Sequence, residues 1–242
     1  MKHATIAAAL LLSLTPMARA SVNEALDALY DSGKTLTSLA ADLSLDNSSD
    51  LGEKTTKTGS FVLQRLANGD SRARVSFTKT KSGKKIFAER RDYLLSGTDL
   101  IDRDYTTKKQ VTRQIRQQGE KVDFFKLGEG PFPLPIGQPR DEVLANFEVT
   151  EEANTDATVL AVVTLTPKPK TKMAESFRWI RVTIDRQTKL PRVIATLSGS
   201  GNEKERNTAT LTNVRVNDAV TDADFTLEPL KPADQWSLVG TK

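Results

Sequence analysis

The chain has 242 residues, with 35 Lys or Arg against 31 Asp or Glu, and a formal net charge of +4 at pH 7. It contains no cysteine and one histidine, which excludes disulfides, cysteine nucleophiles and thiolate metal sites. Because the charges nearly balance, a general attraction to nucleic acid is not expected.

The first twenty residues are typical of a secretory signal peptide. Lys2 gives a positive start, residues 6–14 form an apolar run, and Ala18-Arg19-Ala20 fits a cleavage site. We expect cleavage after Ala20 and an exported, soluble protein with a single domain over 21–242, since no later segment approaches the ~20 apolar residues of a spanning helix. His3 leaves with the signal peptide, which excludes histidine-dependent hydrolysis and imidazole-ligated zinc.

The next predicted element is an amphipathic helix. Ser21 and Glu24 fit a capping box, and Asp31-Ser32-Gly33 is expected to end the helix. One helical face carries the apolar residues Val22, Leu26, Leu29 and Tyr30.

Short alternating segments then predict a curved or rolled antiparallel sheet, with a polar turn over 46–58 and a short helix over 141–147. The predicted strands are 39–45, 59–65, 71–78, 92–96, 100–104, 109–116, 158–165, 177–184, 192–197 and 208–216. In the strand 177–184, Phe177 and Trp179 share one predicted face and Ile180, Val182 and Ile184 share the other. Apolar residues on both faces fit either a two-layer core or a sheet with an apolar interior.

The stretch GPFPLPIG, residues 130–137, is predicted to be a loop, since its three prolines exclude a helix interior and a central strand. It carries Phe132, Leu134 and Ile136 and no charge. An apolar surface is therefore expected beneath it, either an ordinary core or the mouth of a cavity.

Several motifs together resemble the periplasmic outer-membrane lipoprotein carrier (LolA-like) family. They are GSFVLQR, with Gly59, Phe61, Leu63 and Arg65, then YLLSGTDLIDRD, KKQVTRQI, TLTPK and NVRVNDAVTDADFTLEP, in that order. Leu66 in place of proline, Gly97 after Ser96, and Ile101 and Arg103 in place of the hairpin aromatics depart from the family pattern. The chain thus looks like a divergent relative.

The resemblance implies a mainly β, α+β fold: an unclosed antiparallel β-barrel of about ten to eleven strands, with a helical and loop lid over an apolar cavity that takes acyl chains. The implied cavity and lid residues are Phe61, Leu63, Arg65, Val75, Phe77, Phe132, Leu134, Ile136, Phe177 and Trp179. The resemblance also implies that Arg65 holds the lid shut through hydrogen bonds. An arginine at a strand end that extends to water is the alternative.

Other candidate sites have simpler explanations. Asp102 and Asp104, near Asp99, could form a carboxylate pair or cation site, but Arg103 lies between them and solvation at a hairpin tip is the favoured interpretation. The lysine-rich run over 79–85 could meet anionic headgroups or a partner, or be a solvated hairpin. We expect no catalytic residue, no metal and no cofactor.

These observations predict a non-catalytic periplasmic carrier that binds acyl chains of lipoproteins or lipids and delivers them toward the outer membrane. It would contact an inner-membrane donor and an outer-membrane acceptor transiently. The alternative is an envelope-stress or signalling sensor that binds a lipidated ligand and a membrane protein. A carboxylate or Ser-Lys hydrolase would need a convergent polar cleft, which the sequence does not indicate.

Overall fold

A computed structural model describes residues 21–49, 52, 54–117, 119–120, 136–199 and 204–241. Within these ranges the α-helices are α1, Val22–Thr35, α2, Arg140–Asn146, and α3, Lys172–Ser176. The strands β1 to β12 are Ser38–Ser49, Thr55–Arg65, Ser71–Ser82, Lys85–Ser96, Asp99–Asp104, Lys109–Gln114, Phe147–Glu152, Val159–Pro167, Phe177–Asp185, Pro191–Ser198, Glu205–Val216 and Ser237–Thr241. The expected signal peptide, Phe132 and Leu134 lie outside the described residues.

These strands form one sheet in the order β12-β6-β5-β4-β3-β2-β1-β11-β10-β9-β8-β7. Neighbouring strands are antiparallel except for β12, which runs parallel to β6. β7 and β12 are the edges and do not pair with each other. The prediction of a mainly β, unclosed antiparallel barrel is confirmed, and β7 and β12 are the strands beyond those predicted.

One face of the sheet, called the inner face below, surrounds α1. A single buried cluster joins α1 to strands from both halves of the sheet order, so the sheet curls around the helix. Its members include Ala25, Leu26 and Leu29 of α1, Phe61 and Leu63 of β2, Val163 and Leu165 of β8, and Val182 and Ile184 of β9. Burial of each large side chain stabilises this arrangement by about 1.5–3 kcal/mol.

The predicted capping box at the start of α1 is confirmed. The Ser21 hydroxyl accepts a hydrogen bond from the backbone N–H of Glu24 at 3.3 Å, and the Glu24 carboxylate accepts one from the Ser21 N–H at 2.6 Å. The predicted end at Gly33 is wrong, since α1 continues to Thr35. Gly33 is buried within the helix, and its lack of a side chain serves a close contact described below.

The prediction of a long polar turn over 46–58 is also wrong. β1 continues to Ser49 and β2 begins at Thr55, with polar side chains bonded across the strands. Thr56 donates to Asp46, and Asn47 donates to Asn207 at 2.8 Å. Cross-strand polar pairs stabilise a ladder without the apolar alternation that the sequence prediction relied on.

Candidate functional site

Four predicted cavity residues lie together on β2 and β3. Phe61 is directly opposite Val75. Two residues further along each strand, Gly59 is opposite Phe77 on the same face. Phe61 and Leu63 are 0% exposed, while Val75 and Phe77 are 4% exposed. The alternation of these strands therefore gives a continuous apolar wall, and this wall is covered in the described conformation.

The two predicted aromatic residues of β9 lie on different faces of the sheet. Phe177 packs against the inner cluster, whereas Trp179 lies on the outer face, with its ring 5.7 Å from the Arg181 guanidinium and 5.5 Å from that of Arg206. A register irregularity opposite these residues pairs Leu197 with Trp179 but Ser198 with Phe177. The extra residue breaks the alternation, so the expectation that both aromatics share one face was wrong.

Arg65 lies at the end of β2 and connects the sheet to the C-terminal end of α1. One terminal nitrogen of its guanidinium donates to the carbonyl oxygens of Gly33 and Leu36, both at 3.1 Å. Its backbone N–H donates to Thr37 at 2.8 Å. A cation at this position satisfies carbonyls that the helix leaves unpaired and opposes the helix dipole. Arg65 thus contacts the end of α1, and the expectation that it holds a lid shut stays a prediction.

The described end of the proline loop packs directly on α1. Ile136 is 0% exposed within the inner cluster, and the N–H of Gly137 donates to the Leu29 carbonyl at 3.4 Å. A Cβ atom on Gly33 would lie only 2.2 Å from the Gly137 nitrogen. Gly137 has a φ of +75°, which glycine adopts without strain. Two glycines thus allow backbone to pack on backbone.

A polar group at the far end of the inner face was misassigned from the sequence. Asp102 accepts two hydrogen bonds from Arg91, both at 2.8 Å, and its side chain is 12% exposed, so it is not a solvated hairpin tip. This contact raises the pKa of the Arg91 guanidinium, and burial raises that of the Tyr93 hydroxyl. Asp104 instead accepts the N–H groups of Thr106 and Thr107 in a turn. A carboxylate that is 12% exposed and already paired with a guanidinium is poorly suited to bind a cation.

The outer face of β3 to β5 holds the segment that follows β11, a feature the sequence did not reveal. Asp92 is 2% exposed and accepts from Arg74 at 3.0 Å and from the Tyr105 hydroxyl at 3.0 Å. Arg74 also donates to the carbonyls of Asp224 and Thr226 at 3.3 and 3.2 Å. Arginine side chains therefore fasten this C-terminal segment to the back of the sheet.

Further contacts attach the C-terminal segment to the outer face of the sheet. Arg103 donates to the Glu228 carbonyl at 2.6 Å, and Arg72 stacks over the Phe225 ring at 4.1 Å. The ring of Trp236 meets that of Tyr105 edge to face, with centroids 5.5 Å apart. Only the pairing of distant parts of the chain creates this arrangement, so local sequence patterns could not identify it.

Over the described ranges, no group of three or more metal-ligating side chains comes together. None of the helices in these ranges is both long and apolar enough to cross a membrane.

Comparison with known proteins gives remote structural likenesses. No family model matches the sequence, and no curated protein matches it significantly. An uncharacterised conserved protein from Thermus thermophilus is 13% identical with a TM-score of 0.47, and the match covers 90% of this chain and 98% of that one. MucB in complex with MucA from Pseudomonas aeruginosa is 11% identical with a TM-score of 0.46 over 85% of this chain. The match spans only 60% of the MucA/MucB structure's chain.

A LolA superfamily protein from Nitrosomonas europaea is also similar, at 10% identity and a TM-score of 0.32, over 84% of this chain and 97% of that one. All of these scores are below 0.5.

Proposed function

We propose that the protein is a non-catalytic periplasmic carrier that holds acyl chains of lipoproteins or lipids against its inner face and delivers them toward the outer membrane. The observation that supports this most is the manner in which the apolar wall is covered. Helix α1 and the Ile136-Gly137 segment lie over it, joined by a glycine-to-glycine contact and by the hydrogen bonds of Arg65. For this cover to lift, these contacts and the ion pair between Asp27 of α1 and Arg140 must break, and a ligand must replace the apolar packing of α1.

An acyl chain is the ligand class that fits such a surface. Each methylene buried against an apolar wall contributes about 0.8 kcal/mol, so a long chain can replace the contacts of α1 without any polar recognition group. Phe61, Leu63, Val75 and Phe77 would form the wall, and Phe177 would extend it from β9. The proposed roles of Phe132 and Leu134 concern residues outside those described.

The proposal can be tested with the exported protein purified from its own envelope. Native mass spectrometry should show a co-purifying lipid or lipopeptide, and the delipidated protein should take up a dansyl-labelled fatty acid. Empty protein that repeatedly fails to take up this probe would contradict the proposal. A persistent protein partner in an affinity pull-down, without transfer of a lipidated cargo, would favour the sensor instead.

A further inference from the structure

The tip of the β3–β4 hairpin, residues 79–87, exposes apolar side chains among lysines. β3 ends at Ser82 and β4 begins at Lys85, and Gly83 in the turn has a φ of +55°. Just after the turn, Ile86 is 64% exposed and Phe87 is 50% exposed. The two exposed side chains make the tip of this hairpin apolar as well as basic.

The two apolar side chains point to opposite faces of the hairpin. Ile86 is paired with Lys81 and Phe87 with Thr80, and successive residues of a strand alternate in direction. On the β4 side the tip extends past its neighbour, since β5 pairs with β4 only from Arg91 to Ser96, whereas on the β3 side β2 remains paired as far as Ser82. A wedge that is apolar on both faces suits an environment that surrounds it, such as the headgroup region of a bilayer, better than a flat protein surface.

The charge around the wedge is positive. Exposed ammonium groups belong to Lys79, Lys81, Lys84 and Lys85. The nearest carboxylate along β4, that of Glu89, is taken by Lys57 at 2.7 Å and by the Thr80 hydroxyl. Among the described residues, the ion pairs involve none of these four lysines. The tip thus complements an anionic surface.

We propose that this hairpin tip docks the protein on anionic lipid membranes, with Ile86 and Phe87 in the headgroup region and the lysines at the lipid phosphates. The tip is separate from the inner face, so docking does not require an acyl ligand. Each lysine near such a surface is expected to strengthen binding about fivefold, and the effect should weaken as salt screens it.

The first test is flotation of the exported protein with protein-free vesicles. Wild type should float with vesicles containing phosphatidylglycerol and much less with pure phosphatidylcholine. The double variant Ile86→Ser/Phe87→Ser should lower the partition coefficient about tenfold or more. The matched control is Leu238→Ser, because Leu238 is also 64% exposed but lies on the edge strand β12. Equal losses in both variants would overturn the proposal.

A second pair of variants tests the charge. Lys81→Gln/Lys85→Gln should reduce binding to anionic vesicles by more than tenfold, whereas Lys170→Gln/Lys172→Gln removes the same charge from exposed positions elsewhere and should have little effect. Thermal unfolding and uptake of the dansyl-labelled fatty acid should match wild type in all variants. Normal vesicle binding by the tip variant would contradict docking through this hairpin.

Insertion can be observed directly because the chain has no cysteine. A single Lys84→Cys carrying an NBD fluorophore should shift to shorter wavelength on anionic vesicles, while the same label at Ala174→Cys on α3 should not. No shift at residue 84, or binding only to membranes that retain their proteins, would overturn lipid docking and indicate a protein receptor. Loss of acyl uptake with normal docking would instead contradict only the proposed carrier function.

Discussion

In the proposed carrier, Arg65 would couple the stability of the fold to ligand exchange. Its guanidinium bonds to the Gly33 and Leu36 carbonyls at the end of α1. Hydrogen bonds to a charged group contribute about 1.5–3 kcal/mol. In the proposed carrier these bonds form only when α1 lies on the wall, so they favour the empty state over the loaded one.

Replacement of Arg65 should therefore change release as well as stability. Arg65→Leu should lower the free energy of unfolding of the empty protein by about 1.5–3 kcal/mol and slow the release of a bound acyl probe about tenfold or more. Arg65→Lys keeps the charge but loses the planar fork, so its effects should be smaller. Stopped-flow release and urea unfolding measure both. If Arg65→Leu protein is stable and releases the probe at the wild-type rate, Arg65 does not control ligand release.

Asp92 is the residue on which the outer-face fastening should depend most. It is nearly fully buried and accepts hydrogen bonds from both Arg74 and Tyr105. Asp92→Asn leaves Arg74 without its counter-charge, so we expect a loss of about 3 kcal/mol in the free energy of unfolding. Asp222→Asn is the control, since Asp222 pairs with Arg72 but its side chain is 90% exposed. Its loss should stay below about 0.5 kcal/mol in the same urea titration.

At the scale of elements, the contact between α1 and the Ile136-Gly137 segment depends on glycine. Alanine within a helix is normally more stable than glycine by about 1 kcal/mol. At Gly33, however, the new Cβ would overlap the Gly137 backbone at 2.2 and 2.3 Å. Gly33→Ala should therefore destabilise the protein and speed uptake of the acyl probe.

The control for this substitution is Gly240→Ala, because a Cβ at Gly240 meets nothing within 4 Å. It should leave probe uptake and thermal unfolding close to those of wild type. If Gly33→Ala stabilises the protein and leaves probe uptake normal, helix propensity outweighs the contact with Gly137. The Ile136-Gly137 segment then does not control access of ligand to the apolar wall.

The elements also show which parts of this fold can be predicted from sequence. The capping box of α1 and the alternation around Phe61 and Leu63 are local patterns, and the structure reproduces both. Polar strand ends such as 46–49 were missed because their stability comes from partners distant in sequence. The position of Trp179 was missed because a register irregularity against β10 cannot be deduced from β9 alone.

For the whole molecule, the sheet and the helix it surrounds are stabilised by different interactions. Central strands such as β1, β2 and β11 are bonded on both sides and share the buried cluster. Helix α1 has only 14 residues, and an isolated helix of that length is marginal in water. Its structure therefore depends on docking against the inner face, and the acyl chain of the proposed carrier would remove that support.

This difference gives a prediction for hydrogen exchange in the loaded protein. When the dansyl-labelled fatty acid binds, amide exchange across α1 should accelerate, because the displaced helix frays, while exchange in β1, β2 and β11 should stay slow. Mass spectrometry of peptides from each element measures both, and Gly33→Ala without ligand should show part of the same acceleration. If probe binding instead slows exchange in α1, or changes only peptides outside the inner face, the acyl chain does not replace α1 on the wall, and the ligand site must be sought elsewhere on the molecule.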